Sequence, residues 1–295
     1  MTDCMLLYFE EDTANATRIA SAAQMTLAAV QRHRFPDGEL KLRLPAQLPA
    51  RVALLRTLNN PDEKLIELLL VARSAREFGV TQITLVAPYL AYMRQDMAFH
   101  PGEVVSQRVI GGFLASLFDA LITVDPHLHR VATLQQAVPV AQAITLSGAP
   151  LLAALIASHH RQAVLIGPDA ESAQWLDQAA SAHGFDAAVC HKVRHGDRQV
   201  DIALPAIHLA QRNVVLLDDV ASSGHTLAVA ARKILAAGAA SVDVAVTHAL
   251  FAGDALQLIR DAGVNCVWST DCIAHPSNAI SMAPAIAKAL MDLTH

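Results

Sequence analysis

The sequence has few cysteines, and their spacing forms no recognisable pattern. Cys4, Cys190, Cys266 and Cys272 are scattered through 295 residues without a Cys-x-x-Cys pair or a histidine at zinc-finger spacing. Neither a disulfide framework nor a structural zinc site is therefore indicated. We expect these cysteines to be buried thiols.

The sequence also lacks a basic excess and an apolar run long enough to cross a bilayer. Lys and Arg number 22 against 27 Asp and Glu, which gives a net charge of -5 and a pI near 6.2. Nucleic acid and anionic membranes attract proteins that carry a basic patch, so neither is an expected partner. The first residues show neither the basic start nor the apolar stretch of a signal peptide. These absences predict a cytoplasmic protein.

The chain is instead rich in apolar residues, at 53%, and contains only 17% charged residues. This composition excludes a disordered or coiled-coil chain, and it fits buried parallel strands and contacts between subunits. A chain of 295 residues is longer than the usual single domain. We therefore expect either two domains of about 150 residues or one large domain.

Short runs of Val, Ile and Leu alternate with helical patterns, which predicts an α/β fold with mainly parallel sheets flanked by helices. The predicted strands are residues 5–9, 52–56, 83–87, 121–124, 163–166, 187–190, 214–217, 242–247 and 265–268. Helices are predicted over residues 61–78 and 106–118. Residues 27–34 and 39–44 flank a Pro-Asp-Gly turn, so we expect a hairpin or a loop between extended segments there.

Both halves of the chain contain strands that end in acidic residues and run into loops. Thr123-Val124-Asp125 ends one such strand, and Leu217-Asp218 ends another. This repetition predicts two similar α/β domains, residues 1–145 and 146–295.

The strongest local signal is an acidic pair followed by a turn of small residues. Asp218 and Asp219 come at the carboxyl end of a predicted strand, where open α/β sheets bind ligands, and they can accept hydrogen bonds from sugar hydroxyls. The turn offers hydroxyl groups, a glycine and a helix N-terminus, all of which suit a phosphate. It consists of Ser222, Ser223, Gly224, His225 and Thr226. On composition alone, a solvated turn with a good helix cap is an equal alternative.

Residues 218–226 resemble the Asp-Asp-x-x-x-[Ser/Thr]-Gly-x-Thr signature shared by type I phosphoribosyltransferases and phosphoribosyl diphosphate synthetases. Residues 35–39 resemble a Phe-x-Asp-Gly-Glu loop of the synthetases, where it contributes to an ATP site across a subunit interface. Plain phosphoribosyltransferases do not carry this loop. The resemblance implies ATP-binding roles for Phe35, Asp37, Gly38 and Glu39. Physically, an aromatic ring can cover an adenine face, and carboxylates can accept hydrogen bonds from base or sugar.

Two further motifs resemble the synthetases. Residues 88–96 resemble Pro-Tyr-x-x-Tyr-x-Arg-Gln-Asp, which implies that Arg94 and Gln95 contact the nucleotide; an arginine fork suits triphosphate oxygens. Lys192 and Arg194 resemble the Lys-x-Arg that begins a flexible catalytic loop. The resemblance implies that both are catalytic and that Arg194 also faces ribose 5-phosphate.

The metal-binding positions follow from the same resemblance. His127 lies in a segment similar to the Asp-x-His of the family, and Asp169 lies in a segment similar to its Pro-Asp-x-Gly loop. The resemblance implies that both contribute to a Mg²⁺ environment. Because magnesium prefers oxygen ligands, the carboxylate is the better direct ligand of the two.

The resemblance implies two phosphoribosyltransferase-type domains and a homo-oligomer, nearer the shorter archaeal-type synthetases. The implied reaction is the Mg²⁺-dependent transfer of diphosphate from ATP to C1 of ribose 5-phosphate. Two departures stand out: His225 replaces a small residue of the phosphate loop, and Glu171 replaces a glycine. Two alternatives stay open, namely a transferase that consumes phosphoribosyl diphosphate and a non-catalytic regulatory homologue.

Overall fold

The computed structural model describes residues 4–195 and 199–293, and it leaves out the side chains of residues 192–195 and 199–201. Its core is two six-stranded sheets in which every strand pair is parallel, each flanked by helices. Two short antiparallel hairpins complete the β-structure of these residues. The predicted α/β fold with two similar parallel-sheet domains is confirmed.

The first compact unit runs to Leu146 and resumes at Met282. Its sheet has the order β2-β1-β5-β6-β7-β8. The elements are β1 (Cys4–Tyr8), α1 (Thr13–Ala23), β2 (Thr26–Ala29), β3 (Gln31–Arg34), β4 (Leu40–Arg43), β5 (Arg51–Leu55), α2 (Pro61–Glu77), β6 (Gln82–Ala87), α3 (Ser106–Ala115), β7 (Ala120–Val124), α4 (Leu134–Ala137) and β8 (Gln142–Leu146).

Helix α2 begins where the sequence predicts, because Pro61 occupies the first turn and acidic residues follow it. Proline lacks only an N–H that has no partner in a first turn, and acidic groups favour the positive end of the helix dipole. The central strands are buried almost throughout, which explains why their sequences are continuous apolar runs.

The predicted extended segment 27–34 is divided in the structure. Val30 is 3% exposed, and its N–H donates to the carbonyl of Tyr8 at 2.8 Å. Before this anchor, β2 pairs in parallel with β1; after it, β3 leaves the sheet and pairs antiparallel with β4. The hairpin prediction is therefore right for its second part only.

The second unit is Ser147–Ser281, with the sheet order β10-β9-β13-β14-β15-β16. Its elements are α5 (Ala149–His159), β9 (Val164–Gly167), α6 (Ala173–His183), β10 (Asp186–Val189), β11 (His191–His195), β12 (Gln199–Ala203), β13 (Asn213–Ala221), α7 (His225–Ala236), β14 (Ser241–Ala249), α8 (Ala255–Asp261), β15 (Val267–Thr270) and β16 (Asn278–Ile280). Strand β13 continues past the predicted end at residue 217, because Val220 and Ala221 still pair with β14.

The last helix, α9 (Ala283–Leu293), packs on α1, β7 and β8 of the first unit. Its apolar face is buried there, at Ile286 and Leu290, and Arg51 donates to the carbonyl of Leu293 at 3.2 Å. The sequence-based division at residue 145 lies one residue from the end of the first segment of this unit, but it had grouped the final helix with the second domain.

The cysteines and the helices can be compared with two expectations from the sequence. None of the cysteines forms a disulfide; Cys4, Cys190 and Cys272 are buried, whereas Cys266 is partly exposed. Within the described part of the chain, no helix combines the length and the apolar character that a membrane span requires.

Candidate active site

Acidic side chains crowd the carboxyl ends of β9 and β13 in the second unit. Asp219 is 4% exposed, and its N–H donates to Asp218 Oδ1 at 3.0 Å. Burial raises the pKa of Asp218 well above its ordinary value, and the neighbouring charges of Asp219 and Asp169 raise it further. The structure thus brings the two predicted sugar-binding acids together with Asp169. Such a cluster favours hydroxyl donors or a cation.

The turn after β13 is fixed by its backbone. Gly224 has a φ of +74°, and a Cβ at this position would lie 2.9 Å from the carbonyl oxygen of Ala255. Ser222 is tied to the neighbouring segment, since its carbonyl accepts a hydrogen bond from Ala252 at 3.0 Å. Both the left-handed conformation and the close approach require glycine.

The side chains of this turn remain accessible. Ser222 and Thr226 are partly exposed, and Ser223 and His225 are exposed. His225 is the first residue of α7, so the first N–H groups of the helix directly follow the turn. These N–H groups and the helix dipole form an environment that attracts a phosphate.

Asp169 is held in a short turn after β9. Its Oδ1 accepts a hydrogen bond from the N–H of Glu171 at 3.0 Å, and its carbonyl accepts one from Ser172 Oγ at 2.6 Å. Gly167 precedes this turn, where an added Cβ would meet Ser172 Oγ at 2.0 Å. Glu171, the unusual residue, is exposed. The N–H of Glu171 therefore orients the carboxylate of Asp169, and Ser172 fixes its backbone.

The Lys-x-Arg segment forms strand β11, which pairs with β12 as a hairpin. Residues 192 and 194 are two apart and share one face of the strand. The side chains of Lys192 and Arg194 lie outside the described residues. Lys233 of α7 donates to the carbonyl of Ile202 in β12 at 2.6 Å. The helix that follows the phosphate turn therefore also anchors this hairpin.

In the first unit, the loop of residues 35–39 connects β3 to β4. The N–H of Phe35 donates to the carbonyl of Glu39, and that of Gly38 donates to the carbonyl of Phe35, both at 2.9 Å. The N–H of Glu39 also donates to Asp37 Oδ1 at 3.2 Å. The Phe35 ring is 41% exposed and lies edge-on to His33. The loop is thus closed by its own backbone and presents its side chains outward.

The segment of Arg94 and Gln95 follows β6 and is fixed by α3. Gln107 donates to the carbonyl of Met93 through its side chain at 3.1 Å and to that of Gln95 through its backbone at 3.2 Å. Gln95 itself donates to the carbonyl of Met97 at 2.9 Å. Arg94 is exposed. The backbone is therefore held by hydrogen bonds, while the guanidinium is accessible to a ligand.

Asp96 connects this segment to the loop after β7. Its side chain is 1% exposed and pairs with Arg130 at 2.6 Å. The same loop carries His127, whose ring lies edge-on to His129 with centroids 4.0 Å apart. The sequence contains no signal for the Asp96–Arg130 pair, because the two residues are far apart in the chain.

A buried ionic cluster near the ends of β1 and β5 was also not predicted. Arg56 is 1% exposed. It donates to Glu67 Oε2 at 2.8 Å, to Asp12 Oδ2 at 3.0 Å and to Glu11 Oε1 at 2.8 Å. Its guanidinium also lies 4.5 Å from the centre of the Phe9 ring. An arginine directly after an apolar strand, with acidic residues after the neighbouring strand, was the available signal.

Comparison with known proteins adds evidence independent of this geometry. A family model described as the N-terminal domain of ribose phosphate pyrophosphokinase matches residues 4–117, and one described as a phosphoribosyl transferase domain matches residues 143–269. A crystal structure of phosphoribosylpyrophosphate synthetase from Mycobacterium smegmatis covers 98% of this chain and is itself covered to 98%, with a TM-score of 0.86. At 22% identity, that similarity shows a common fold.

Two curated relatives are similar over nearly their whole length. The ribose-phosphate pyrophosphokinase of Methanopyrus kandleri is 33% identical over 294 residues, covering 98% of this chain and 99% of the relative. That of Halobacterium salinarum is 33% identical over 287 residues, covering 97% and 100%. The expected transferase class and the nearness to archaeal-type proteins are confirmed. The chain belongs to the ribose-phosphate pyrophosphokinase family.

Proposed function

We propose that this chain transfers the β,γ-diphosphoryl group of ATP to ribose 5-phosphate, giving phosphoribosyl diphosphate and AMP. The observation that carries the proposal is the crowded acidic strand end followed by the phosphate turn, in a chain of this family. In the reaction, the C1 hydroxyl oxygen bonds to the β-phosphorus. The bond from that phosphorus to the oxygen bridging the α-phosphate breaks, AMP departs, and the hydroxyl proton is released.

The second unit binds the ribose 5-phosphate in this proposal. Asp218 and Asp219 accept hydrogen bonds from the ribose hydroxyls. These hydrogen bonds offset the burial and the carboxylate repulsion that together raise the pKa of Asp218. The 5-phosphate lies at the N-terminus of α7, where it meets backbone N–H groups; the side chains available to it are those of Ser222, Ser223, His225 and Thr226. Arg194 is a further proposed contact to this substrate.

The donor set in the second unit fits Mg²⁺. Asp169 offers a carboxylate oxygen close enough to Asp218 to raise the pKa of that residue, and magnesium prefers such oxygen ligands. His127 of the first unit offers nitrogen atoms, so we assign it an orienting role in the metal environment. When bound, Mg²⁺ supplies positive charge to the phosphate oxygens. Asp169 would hold it through its carboxylate.

The first unit supplies the ATP contacts. The exposed Arg94 fork suits phosphate oxygens, and Gln95 lies beside it on a fixed backbone. The loop contacts are Phe35, Asp37, Gly38 and Glu39. The exposed Phe35 ring is available to cover an adenine face.

A homo-oligomer, dimeric at least, is part of this proposal. Beside the 35–39 loop lies a groove of about 630 Å³ between β4 and α2. Leu70 and Phe78 line it and are 38% and 57% exposed. Apolar side chains exposed together favour a protein contact. We assign this surface to a second copy of the chain, because the resemblance implies a loop that acts across a subunit interface.

Lys192 and Arg194 are the proposed catalytic residues. Their common strand face would direct two positive charges to the diphosphoryl group as its negative charge redistributes. We expect Lys192→Ala to lower kcat by about 100- to 1000-fold, the effect of removing one well-placed stabilising group. Lys288→Ala is the matched control, because Lys288 is an exposed lysine that pairs only with Asp292 among the described contacts.

The test of the proposed function is an assay of purified protein with ATP, Mg²⁺ and ribose 5-phosphate, in which AMP and phosphoribosyl diphosphate are both quantified. The proposal predicts equal amounts of the two products. A transferase that consumes phosphoribosyl diphosphate would release diphosphate only when a base is added. A regulatory homologue would form neither product. Absence of AMP above background across divalent metals would refute the proposal.

A further inference from the structure

The first turns of α2 carry three carboxylates, two of which contact strand β3 and one of which contacts the segment after β6. We call Asp62, Glu63 and Glu67 the α2 acidic row. Glu63 and Glu67 are one helical turn apart and therefore share a face of the helix. The contacts of this row lead to both segments that we assign to ATP.

One side of the row pairs with strand β3. Arg32 contacts Glu67 at 2.5 Å, and Arg34 forms an ion pair with Glu63. The later helix residue pairs with the earlier strand residue, so the strand and the helix run in opposite directions. The spacings also match, because four helical residues rise about 6 Å and two strand residues rise about 6.6–6.8 Å.

These ion pairs reach the ATP loop directly. Arg34 immediately precedes Phe35, and it also donates to the carbonyl of Gly38 at 2.9 Å. The guanidinium of Arg34 thus connects the helix to both ends of the turn. The loop residues are exposed, so few other contacts of the unit hold them. The contacts of Arg34 therefore orient the loop relative to α2.

Asp62 reaches the other ATP segment. It accepts a hydrogen bond from the hydroxyl of Tyr92, two residues before Arg94. This hydrogen bond raises the pKa of Tyr92. Tyr92 has a φ of +63°, a conformation that is strained for a residue with a side chain. The contact helps to hold the backbone in the conformation that presents Arg94.

We propose that Asp62 and Glu63 are positioning residues for ATP, acting through Tyr92 and Arg34. Glu67 has a wider role, because it is buried and also neutralises Arg56. The proposal rests on the assignment of residues 35–39 and 94–95 to ATP. It adds that a single helix sets the position of both.

Glu63 and Arg34 are 47% and 48% exposed. Exposed ion pairs contribute little to folding, so their replacement should leave the protein folded. A purely structural role would then produce almost no effect on either substrate. A positioning role instead predicts an effect on ATP that ribose 5-phosphate does not share.

The experiment measures the Kd of a non-hydrolysable ATP analogue and the KM values of both substrates. We expect Glu63→Gln and Tyr92→Phe each to weaken analogue binding and raise the ATP KM by about two- to fivefold, the range for an exposed polar contact. The kcat and the KM for ribose 5-phosphate should change by less than about twofold. Asp292→Asn, which removes an exposed ion pair of α9 in the same unit, is the control and should have no effect.

A double-mutant cycle tests whether the pair with Arg34 is the cause. Adding Glu63→Gln to Arg34→Met should weaken analogue binding no further. Adding Tyr92→Phe to Glu63→Gln should multiply the two effects, because these contacts hold different segments. Equal losses for both substrates, or additive losses within the Arg34–Glu63 pair, would overturn the inference.

Arg94→Ala separates this inference from the proposed function. If Arg94→Ala leaves analogue binding unchanged, the assignment of the ATP segment is wrong. If Arg94→Ala weakens binding while Glu63→Gln and Tyr92→Phe do not, the ATP assignment stands and the positioning role is excluded.

Discussion

The two sheets of this protein have the same strand order, yet buried charge is arranged differently at the carboxyl ends of their equivalent strands. We call the carboxyl ends of β1 and β5 the neutralised edge, and those of β9 and β13 the acidic edge. In the first unit, Arg56 follows β5 and donates to carboxylates that follow the adjacent β1. In the second, Asp218 and Asp219 lie in β13, and Asp169 follows the adjacent β9. One edge is neutralised internally. The other remains acidic and is therefore suited to a ligand that donates hydrogen bonds or carries a metal.

The pKa values express the same contrast. Burial alone would raise the pKa of Glu11, but a backbone hydrogen bond and the guanidinium of Arg56 bring it to about 2. Burial and neighbouring carboxylates raise the pKa of Asp218 instead. The ionised form of Glu11 is therefore stabilised in the first unit, although burial raises the pKa of its neighbour Asp12. In the second unit, the ionised form of Asp218 is destabilised.

The largest effect should follow from breaking the neutralised edge. Arg56→Met leaves Glu67 and Asp12 buried without their shared cation, and we expect the free energy of unfolding to fall by about 3–5 kcal/mol. Denaturant unfolding measures this. Arg212 is partly exposed, and Arg212→Met removes its pair with the exposed Asp186 and a hydrogen bond to the carbonyl of Gln162. This variant should cost less than about 1–2 kcal/mol. An equal loss in the free energy of unfolding for the two variants would show that the Arg56 cluster does not stabilise the fold.

At the acidic edge, the expected effect is on activity. Asp219→Asn keeps the shape but weakens hydrogen bonds to the ribose hydroxyls, and kcat/KM for ribose 5-phosphate should fall about 10- to 100-fold, since a hydrogen bond to a charged group contributes about 1.5–3 kcal/mol. Steady-state kinetics measures the loss. Asp186→Asn, on the surface of the same unit, should retain wild-type activity. Undiminished activity of Asp219→Asn would show that the acidic edge does not bind the substrate.

The phosphate turn should tolerate change less than other turns of the second unit. Gly224→Ala combines a positive φ with a contact of 2.9 Å to a backbone carbonyl. Gly253 also has a positive φ, of +61°, but open space surrounds its Cβ position. We expect Gly224→Ala to lower the free energy of unfolding by about 1–2 kcal/mol more than Gly253→Ala, because it must also shift its neighbours. Thermal unfolding compares the two variants, and equal losses would contradict this account of the turn.

The smallest effect concerns pH and has opposite signs at the two edges. The stabilisation from Glu11 is present above its ordinary pKa of 4.5 and is lost as the pH falls toward 2. Asp218 has a raised pKa in the folded state, so it lowers stability as the pH rises above its ordinary value of 3.8. Asp218→Asn should therefore be more stable than the wild type at pH 7, with an advantage that disappears on acidification. Denaturant unfolding across pH tests this, and a less stable variant at pH 7 would contradict it.

Local patterns predicted much of the fold. Residues 83–87 and 61–78 were placed within one residue of β6 and α2, since a buried apolar run and a proline-acid start are encoded by adjacent residues. Strand β13 was predicted too short, because the sequence pattern gave no sign that Val220 and Ala221 would continue pairing with β14. The location of α9 depends on its contacts with α1, which lie far away in the chain.

In the candidate site, too, the sequence predicted the contiguous features and missed the contacts between distant residues. The acidic pair and the phosphate turn are contiguous, so the sequence predicted their proximity. In the Arg56 cluster, the three acids lie 11, 44 and 45 positions from the arginine along the chain. No local pattern specifies which acids a buried arginine will contact. The contacts of Asp62 and Glu63 likewise depend on the register between a helix and a strand.

The most direct test of the account compares ribose 5-phosphate binding at the two equivalent edges by calorimetry. Glu11→Gln alters the neutralised edge, and Asp219→Asn alters the acidic one. We predict that Glu11→Gln binds like the wild type and that Asp219→Asn loses at least about tenfold in affinity. Undiminished binding by Asp219→Asn, or a comparable loss in Glu11→Gln, would contradict the assignment of the sugar-phosphate site to the second unit.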